Sequence, residues 1–265
     1  MGRRKGREFL CGVHAVLAAL GRGPERVKRL CIASGRKGRP GARARALAGK
    51  AGIPAEEYPL AALDEMVGTR QHQGLVAEVH PTPILELDTF LEAQPHEKPP
   101  ILLLDGVQDP RNLGAILRTA AALGAGGAVW PKDAAADLSP SVAKAAAGAL
   151  ESLPLARVTN MARAVSAVKR AGYWAIAADP EGEGDLAAAE LPRPAALVLG
   201  GEGRGVRRLV RKNCDIGVRI PQFGSIVNSL NVSVVAGILL FEMVSRESGI
   251  GADLARRETE YPDLA

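Results

Sequence analysis

The feature that most constrains the fold is an alternation of short apolar runs and helical stretches that begins at Ile101. Strands that are apolar along their whole length are typical of sheets buried on both faces, so the pattern predicts an α/β fold with a parallel sheet between helices. Ligands of such sheets bind beyond the carboxyl ends of strands, which makes the loops after Leu104, Leu199 and Ile220 the candidate functional loops. The apolar runs are ILLLD, GAVWP, LARV, YWAIAAD, ALVLG and IGVRIP, and the helical stretches between and after them include LGAILRTAAALG, VAKAAAGALES, MARAVSAVKRAG, GVRRLVRKN and LNVSVVAGILLFEMVSRE.

The chain before this alternation predicts a second, smaller α/β unit. GVHAVLAAL predicts a helix that ends at Gly21–Gly23, VKRLCIA and GLVAEV predict strands, and a glycine-broken basic loop becomes helical from about Ala42. Five prolines among acidic residues then predict an interdomain linker or an irregular crossover. The predicted organisation is a small domain at 1–79, a proline-rich linker at 80–100, the main α/β domain at 101–247 and a polar tail at 248–265.

Charge is distributed unevenly along the chain. Residues 1–50 contain 14 Lys/Arg and 2 Asp/Glu, whereas the rest of the chain contains 20 and 27. A concentrated basic segment releases many counterions when it binds phosphates, so it favours a polyanionic partner such as RNA. The alternative is a solvated basic surface without a partner. We expect residues 1–79 to form an RNA-binding domain.

Composition and motif searches exclude several classes of protein. Aromatic residues make up 3% of the chain, which disfavours RNA-binding sheets and barrels that stack bases on exposed rings. Three distant cysteines without a CxxC pair predict no zinc site and no disulfide framework, and reduced thiols fit a cytoplasmic protein. The basic and apolar N-terminus resembles a signal peptide, but Glu8 and His14 interrupt it, so we expect no export. No apolar run is long enough to span a membrane.

The first candidate loop is DGVQDPRNLGAILRTA, residues 105–120. Asn112 stands immediately before the helical stretch, where it is expected to cap the helix. Arg118 lies six residues further on, among Ala, Gly, Ile and Leu, where a charge needs a partner or a phosphate. The alternative is a surface arginine.

The second candidate loop is LVLGGEGRGV, residues 197–206, in which four glycines follow a strand. Glycines allow a tight turn and let a ligand approach the backbone amides. The dinucleotide pattern GxGxxG does not fit this loop, and a P-loop sequence is absent from the chain. Glu202 is the carboxylate of the loop, and it is either functional or a solvated turn residue.

The third candidate loop, within residues 219–242, concentrates small polar residues before a very apolar helix. These residues are either ordinary helix caps or part of a polar site that faces the other two loops. The four histidines all precede the main domain, which disfavours histidine acid–base chemistry and indicates structural histidines. The small polar residues of this loop are Gly224, Ser225, Asn228, Ser229 and Asn231.

In this order, the three loops resemble the three motifs of the SpoU/TrmH (SPOUT) family of RNA 2′-O-ribose methyltransferases. The resemblance covers residues 101–246 and rests on DPRNLGAILRTA, LVLGGEGRGV and IPQFGSIVNSLNVSVVAGILLFE. It implies a trefoil knot in the catalytic domain, S-adenosyl-L-methionine as cofactor and a homodimer. It implies catalytic roles for Asn112, Arg118, Glu202, Ser229 and Asn231, and a cofactor site that includes Gly200, Gly201, Ile220 and Leu230.

GVHAVLAAL and HQGLVAEV resemble the auxiliary RNA-binding domain of one branch of this family, which methylates a guanosine of 23S rRNA. The resemblance therefore implies 2′-O-methylation of 23S rRNA, in the loop that contacts peptidyl-tRNA. Two alternatives stay open, namely a tRNA ribose 2′-O-methyltransferase and a non-catalytic RNA-binding protein of ribosome assembly. Gly224 and Ser229 are five steps apart where the family pattern has four, which predicts a bulge or a displaced serine.

The family resemblance implies that Arg118 removes the proton from the ribose hydroxyl. A guanidinium stays protonated in proteins, so we interpret Arg118 instead as the group that binds the adjacent phosphate and stabilises developing negative charge. A phosphate oxygen or a water molecule then accepts the proton. We expect Asn112 to hold Arg118 or the ribose, and Glu202 to orient Arg118 or an amide.

Overall fold

The computed structural model of the chain describes residues 8–35, 38–182, 184–224 and 229–248. The first part of the chain is a small α/β unit, as predicted from its sequence. Its elements are β1 (Glu8–Cys11), α1 (Val13–Arg22), a 3-10 turn (Pro24–Arg26), β2 (Val27–Ala33), α2 (Arg39–Lys50), β3 (Ala55–Tyr58), α3 (Leu60–Val67) and β4 (Leu75–Val79).

Within the described residues, these strands form a four-stranded mixed sheet in the order β1-β4-β2-β3. β4 is antiparallel to β1 and β2, and β2 is parallel to β3. The predictions of α1, β2 and β4 are confirmed, whereas β1, β3 and α3 were not predicted. α2 begins at Arg39 rather than at Ala42, because Pro40 occupies the first turn, where a missing N–H costs no hydrogen bond.

The second part of the chain contains the alternation of strands and helices predicted from Ile101 onward. The strand that leads into the third loop ends at Arg219, two residues earlier than the predicted end at Pro221. The elements are α4 (Leu87–Glu92), β5 (Ile101–Asp105), α5 (Pro110–Ala122), β6 (Gly127–Pro131), α6 (Pro140–Ala146), a 3-10 turn (Ala149–Glu151), β7 (Leu155–Val158), α7 (Met161–Arg170), β8 (Trp174–Ala178), β9 (Gly184–Asp185), β10 (Ala195–Gly200), α8 (Arg208–Asn213), β11 (Ile216–Arg219) and α9 (Val232–Ser248).

The strands of this second part form a seven-stranded sheet within the described residues, in the order β7-β6-β5-β10-β8-β11-β9. Every pairing in the sheet is parallel, so the predicted parallel-sheet α/β class is confirmed. The trefoil knot stays a prediction. β5 and β10 pair at the centre of the sheet, with Gly200 opposite Asp105, so their carboxyl ends deliver two of the candidate loops to adjacent positions.

Alternate residues of the strands pack on opposite faces of the sheet, and each face has its own core. On β5, Leu102 and Leu104 pack with α5 and α9 in what we name the first core. Ile101 and Leu103 pack with α4 and α7 in the second core, on the other face. Val210 of α8 belongs to the second core. α5 and α8 therefore lie on opposite sides of the sheet, and the loops at its carboxyl edge connect the two sides.

The proline-rich segment 80–100 contains α4, and Phe90 of this helix is fully buried in the second core. Leu85 also forms a parallel bridge with Ala156, beside β7. The segment thus packs against the larger sheet. The division of the chain at residues 80 and 100 stays a prediction.

A buried ion pair joins the two units. Arg26, in the 3-10 turn before β2, pairs with Glu151 of the second unit and with Glu8 of β1, and its Nε donates to the carbonyl oxygen of His80 at 2.8 Å. The side chains of Arg26 and Glu151 are 8% and 2% exposed. Ala143 of α6 also packs against the apolar core of the first unit.

None of the helices in the described ranges is long and apolar enough to cross a membrane. The predicted polar tail lies outside the described residues from residue 249 onward.

Candidate active site

The candidate site begins where β5 and β10 end side by side. The amide of Gly201 donates to the carbonyl oxygen of Asp105 at 3.0 Å, so the second loop leaves the sheet in contact with the first. The amide of Gly205 then donates to the carbonyl oxygen of Gly201 at 3.1 Å and closes a tight turn. Glu202 is at the exposed tip of this turn.

Two glycines of the second loop are required by packing of the backbone. A Cβ added to Gly200 would lie 1.9 Å from the carbonyl carbon of Gly205, and one added to Gly201 would lie 2.0 Å from the carbonyl oxygen of Gly106. Any other residue would force the loops apart, because real Cβ atoms do not approach backbone so closely. Gly203 has a φ of 77°, which favours glycine at the tip of the turn. The glycines therefore hold the first two loops against each other.

A buried carboxylate that the sequence analysis missed anchors the same turn. The side chain of Asp105 is fully buried, and it accepts hydrogen bonds from the backbone amide and from Nε of Arg207, both at 2.8 Å. The sequence did contain a sign of this anchor, since Asp105 ends a strand that is otherwise entirely apolar. A carboxylate in such a place needs a charged or hydrogen-bonding partner. This pair connects the end of β5 to the start of α8.

Asn112 does not cap α5, contrary to prediction. The cap is Asp109, whose Oδ1 accepts from the amide of Arg111 at 2.8 Å, and Pro110 takes the first helical position. Asn112 lies in the first turn of the helix, where its side chain is free for other contacts. It donates through Nδ2 to Oε1 of Glu202 and accepts through Oδ1 from Nδ2 of Asn231, the latter at 3.1 Å.

Asn231 belongs to the third loop and is oriented by the start of α9. Its Oδ1 accepts from the amide and from the hydroxyl of Ser233, at 2.8 and 2.6 Å. The Nδ2 group is thereby directed toward Asn112. A chain of side-chain hydrogen bonds thus connects Glu202, Asn112 and Asn231, one residue from each candidate loop.

Arg118 is exposed, and no hydrogen bond or ion pair joins it to another residue in the described ranges. Of the partner or phosphate expected for Arg118, no partner is present among the described residues, and the phosphate stays a prediction. Helical periodicity turns Leu113, Leu117 and Ala120 into the core, whereas Arg118 points to the opposite side of α5. The guanidinium is therefore available to an external anion.

The remaining predicted residues lie at the ends of the third loop. Ile220, directly after β11, is half-buried against the first core, and Leu230 is 38% exposed beside Asn231. Ser229 is exposed and has no hydrogen bond to a described residue. The expectation of a bulge between Gly224 and Ser229 falls on residues 225–228, outside the described residues, as do Ser225 and Asn228 themselves.

The third loop provides both side chains and free backbone amides that a bound cofactor could contact. An open groove of about 350 Å³ follows β11, and its lining mixes apolar and charged side chains, namely Pro180, Asp185, Arg219, Ile220, Pro221 and Gln222. The amides of Gln222, Phe223 and Gly224 make no backbone hydrogen bond to other described residues. Ile220 and Pro221 offer apolar contact to the face of a flat ring such as adenine, and the free amides offer hydrogen bonds to its polar edge.

Titratable groups outside the loops have structural environments. His72 is 1% exposed, pairs with Asp64 at 2.8 Å and accepts from the amide of Gly74 at 3.0 Å, which confirms a structural role. Burial raises the pKa of the Cys31 thiol to about 11 and that of Cys214 to about 12. Among the described residues, no group of three or more His, Cys, Asp or Glu side chains is placed to hold a metal ion.

Comparison with known proteins identifies relatives over nearly the whole chain. Residues 99–241 match the SpoU rRNA Methylase family, and residues 9–85 match a family of RNA 2′-O ribose methyltransferase substrate-binding domains. The chain is 44% identical over 241 residues to the 23S rRNA (guanosine-2′-O-)-methyltransferase RlmB of Pseudomonas putida, a match that spans 89% of this chain and 96% of the relative. The protein of the same name from Vibrio cholerae is 42% identical over 240 residues, again 89% and 96% of the two chains.

Solved structures agree with these matches. The SpoU methyltransferase AviRb of Streptomyces viridochromogenes superimposes with a TM-score of 0.77 at 28% identity, over 93% of this chain and 92% of that chain. A second structure of AviRb, in complex with the cofactor AdoMet, superimposes with a TM-score of 0.74 over 93% and 94% of the two chains.

Proposed function

The chain belongs to the SpoU rRNA methylase family, and from this premise we propose that it transfers a methyl group from S-adenosyl-L-methionine to a ribose 2′-hydroxyl of RNA. The substrate is a guanosine of 23S rRNA, in the loop that contacts peptidyl-tRNA. Relatives more than 40% identical that carry this activity in their names support the substrate. The observation that carries the proposal is the hydrogen-bonded chain Glu202–Asn112–Asn231, which joins all three candidate loops.

S-adenosyl-L-methionine supplies an activated methyl group when it is bound. Ile220 and Leu230 provide apolar surface for it, and the backbone after β10 and β11 provides hydrogen-bonding groups. Gly200 and Gly201 contribute through the shape of their backbone, because their packing sets the position of the second loop. Alignment of the two reactants can supply roughly 7–11 kcal/mol of the barrier, so a rigid arrangement of these loops is central to the reaction.

Arg118 acts on the RNA rather than on the protein. Its guanidinium is exposed and unpaired within the described ranges, so it can form two parallel hydrogen bonds with the phosphate beside the target ribose. A guanidinium stays protonated, so it stabilises the negative charge that develops on the attacking oxygen and leaves the proton to a phosphate oxygen or a water molecule.

Asn112 positions the ribose, and Glu202 and Asn231 orient Asn112. Glu202 accepts from Nδ2 of Asn112, which leaves the amide in a single orientation. Of the two partners expected for Glu202, Arg118 or an amide, the contact is with an amide. This contact reduces the repulsion between the carboxylate and an approaching phosphate. Ser229, two residues before Asn231, lies close enough along the chain to contact the ribose or the cofactor.

The first unit holds the RNA substrate. Three exposed cations of α2, namely Arg39, Arg43 and Lys50, have no ion pair with a described residue and form a basic helix surface. We further propose that the chain acts as a homodimer in the cytoplasm, that residues 1–79 and 101–247 are its two domains, and that the second contains a trefoil knot.

Mapping of ribose methylation in 23S rRNA tests the function. We expect one guanosine methylation to be present in cells that carry the gene, lost when the gene is deleted, and restored by the wild-type gene but not by an Arg118→Ala variant. Methylation that persists after deletion would refute the rRNA substrate. Loss of methylation in tRNA instead would establish the tRNA alternative.

Neutralisation of α2 tests the role of the first unit. The triple variant Arg39→Gln/Arg43→Gln/Lys50→Gln should bind a 23S rRNA transcript more weakly, because each lost phosphate contact makes the slope of log affinity against log salt less negative by about 0.7. Calorimetric binding of S-adenosyl-L-methionine should not change. Equal RNA affinity of the variant and wild type at matched salt would contradict this role.

A further inference from the structure

A second concentration of positive charge lies next to the candidate site, outside the basic N-terminal segment. Five basic residues occupy positions 204–212, in the second loop and α8. Two of them are committed to carboxylates. Arg207 pairs with the buried Asp105, and Arg211 pairs with Asp179 and with Glu181.

The other three cations, Arg204, Arg208 and Lys212, are exposed and make no hydrogen bond or ion pair with any residue in the described part of the chain. We name them the α8 basic face. Arg208 and Lys212 are four residues apart and therefore lie on the same side of the helix. Like charges at this spacing repel each other and destabilise a helix. An anion bound between Arg208 and Lys212 would therefore reduce the repulsion between these two side chains.

The α8 basic face begins at the candidate site itself. Arg204 is in the turn that the Gly205–Gly201 hydrogen bond closes, two residues after Glu202, which contacts Asn112. From this turn the chain enters α8, which covers the side of the sheet opposite α5. A strand of RNA whose ribose lies at Asn112 can therefore continue over Arg204 and along the exposed side of α8.

We infer that the α8 basic face binds the phosphodiester backbone of the RNA next to the target ribose. This inference rests on the proposed function. The carboxylates contacted by α8 already have arginine partners, so the three remaining side chains present uncompensated positive charge, which suits a polyanion. Phosphate contacts fix the register of a nucleic acid without reading its sequence. With α2 of the first unit, the α8 basic face makes a second contact that holds the RNA in place for the reaction.

The experiment compares two double variants that remove the same charge from adjacent helices. Arg208→Gln/Lys212→Gln removes two cations of the α8 basic face. Arg163→Gln/Arg170→Gln removes two exposed arginines of α7 that also make no ion pair with a described residue, and it serves as the matched control. Binding of a 23S rRNA transcript is measured for both variants and wild type over a series of KCl concentrations. Calorimetry with S-adenosyl-L-methionine and thermal unfolding monitor the fold.

We expect the α8 variant to bind the transcript more weakly, with a slope of log affinity against log salt that is less negative by about 1.4, or about 0.7 for each lost phosphate contact. The control variant should keep the wild-type slope, and all three proteins should bind the cofactor equally. A wild-type slope in the α8 variant, or an equal change in the control, would overturn the inference. Methylation of the transcript by wild type is measured separately, because its absence would contradict the proposed function, whereas the salt slopes test the α8 basic face alone.

Discussion

The two sheets of the molecule differ in where their charged side chains lie. In the mixed sheet of the first unit, charges lie within the sheet: Arg29 of β2 bonds to Glu78 of β4 at 2.7 Å and to Glu56 of β3 at 2.9 Å. In the parallel sheet of the second unit, β5 and β10 are apolar until their ends, where Asp105 and Gly200 meet.

Burial explains this difference. The side chains of Arg29 and Glu56 are 23% and 44% exposed, so the outer part of this network stays in contact with water, and the buried Glu78 is compensated by its bond to Arg29. The central strands of the large sheet are covered on both faces. Burial of an unpaired charge there would strongly destabilise the folded state. A fully covered parallel sheet thus restricts its polar chemistry to strand ends, and a small mixed sheet does not. The following predictions test this contrast, beginning with the contact that joins the two units.

Glu151→Ala is expected to have the largest effect on stability. Removal of Glu151 leaves the buried Arg26 with Glu8, a partly exposed carboxylate 3.3 Å away, as its remaining charged partner, so we expect a loss of roughly 3 kcal/mol, the lower end of the cost of breaking a buried ion pair. Urea denaturation measures the loss. Glu86→Ala, which removes an 80% exposed carboxylate at 3.7 Å from Lys132, is the control and should cost less than about 1 kcal/mol. Equal losses in the two variants would show that the Arg26–Glu151 pair does not stabilise the fold more than an exposed pair does.

Arg118→Ala should reduce methyl transfer by about 100- to 1000-fold in single-turnover assays, the usual effect of losing one group that stabilises transition-state charge. The unfolding free energy should not change, because the side chain is exposed and makes no ion pair with a described residue. Arg163→Ala on α7 serves as the control. Near-normal single-turnover methylation by Arg118→Ala would remove Arg118 from the reaction.

Asn231→Ala should reduce methylation by about tenfold, because loss of one hydrogen bond worth about 1.4 kcal/mol leaves Asn112 less firmly oriented. Asn213→Ala is the matched control, because it also removes one hydrogen bond donated by an asparagine side chain. Asn213 is the last residue of α8, and its Nδ2 donates to the carbonyl oxygen of Leu209. Wild-type rates with normal cofactor binding in Asn231→Ala would contradict the role of the third loop.

Tyr173→Phe should have the smallest effect, and the pH-dependent part of that effect should appear only at alkaline pH. Burial raises the pKa of Tyr173 to about 12, and its hydroxyl has no hydrogen-bond partner among the described residues. Because the folded state favours the protonated phenol, this contribution to stability is fully present below about pH 10 and is lost as the pH rises toward 12.

The buried hydroxyl without a described partner also costs free energy at neutral pH, so unfolding midpoints should show Tyr173→Phe to be more stable than wild type by a constant amount below pH 10, and this difference should grow above pH 10. Parallel pH profiles of the two proteins would show that the phenol of Tyr173 does not lose its proton more readily on unfolding.

Local sequence patterns predicted much of the fold and only part of the site. The apolar runs predicted six of the seven described strands of the large sheet, because burial on both faces leaves a pattern that can be read residue by residue. The edge strand β9 was not predicted, since its two residues, Gly184 and Asp185, form no apolar run. β3, with the sequence AEEY, was not predicted because its glutamates are paired with arginines that are distant in the chain. The Asn112 cap was wrong because Asp109 and Pro110 already supply the cap and the first helical position.

The sequence by itself determined the parallel α/β class, the basic N-terminal unit and the three loops in which the candidate residues occur. Periodicity and local charge encode these properties, and both are set by residues close together in the chain. Only the tertiary structure decided that Asn112 contacts Glu202 and Asn231, that Asp105 holds Arg207, and that Arg118 faces outward. These contacts join residues about 90 to 120 positions apart, which meet only because parallel strands bring distant loops to one edge of the sheet.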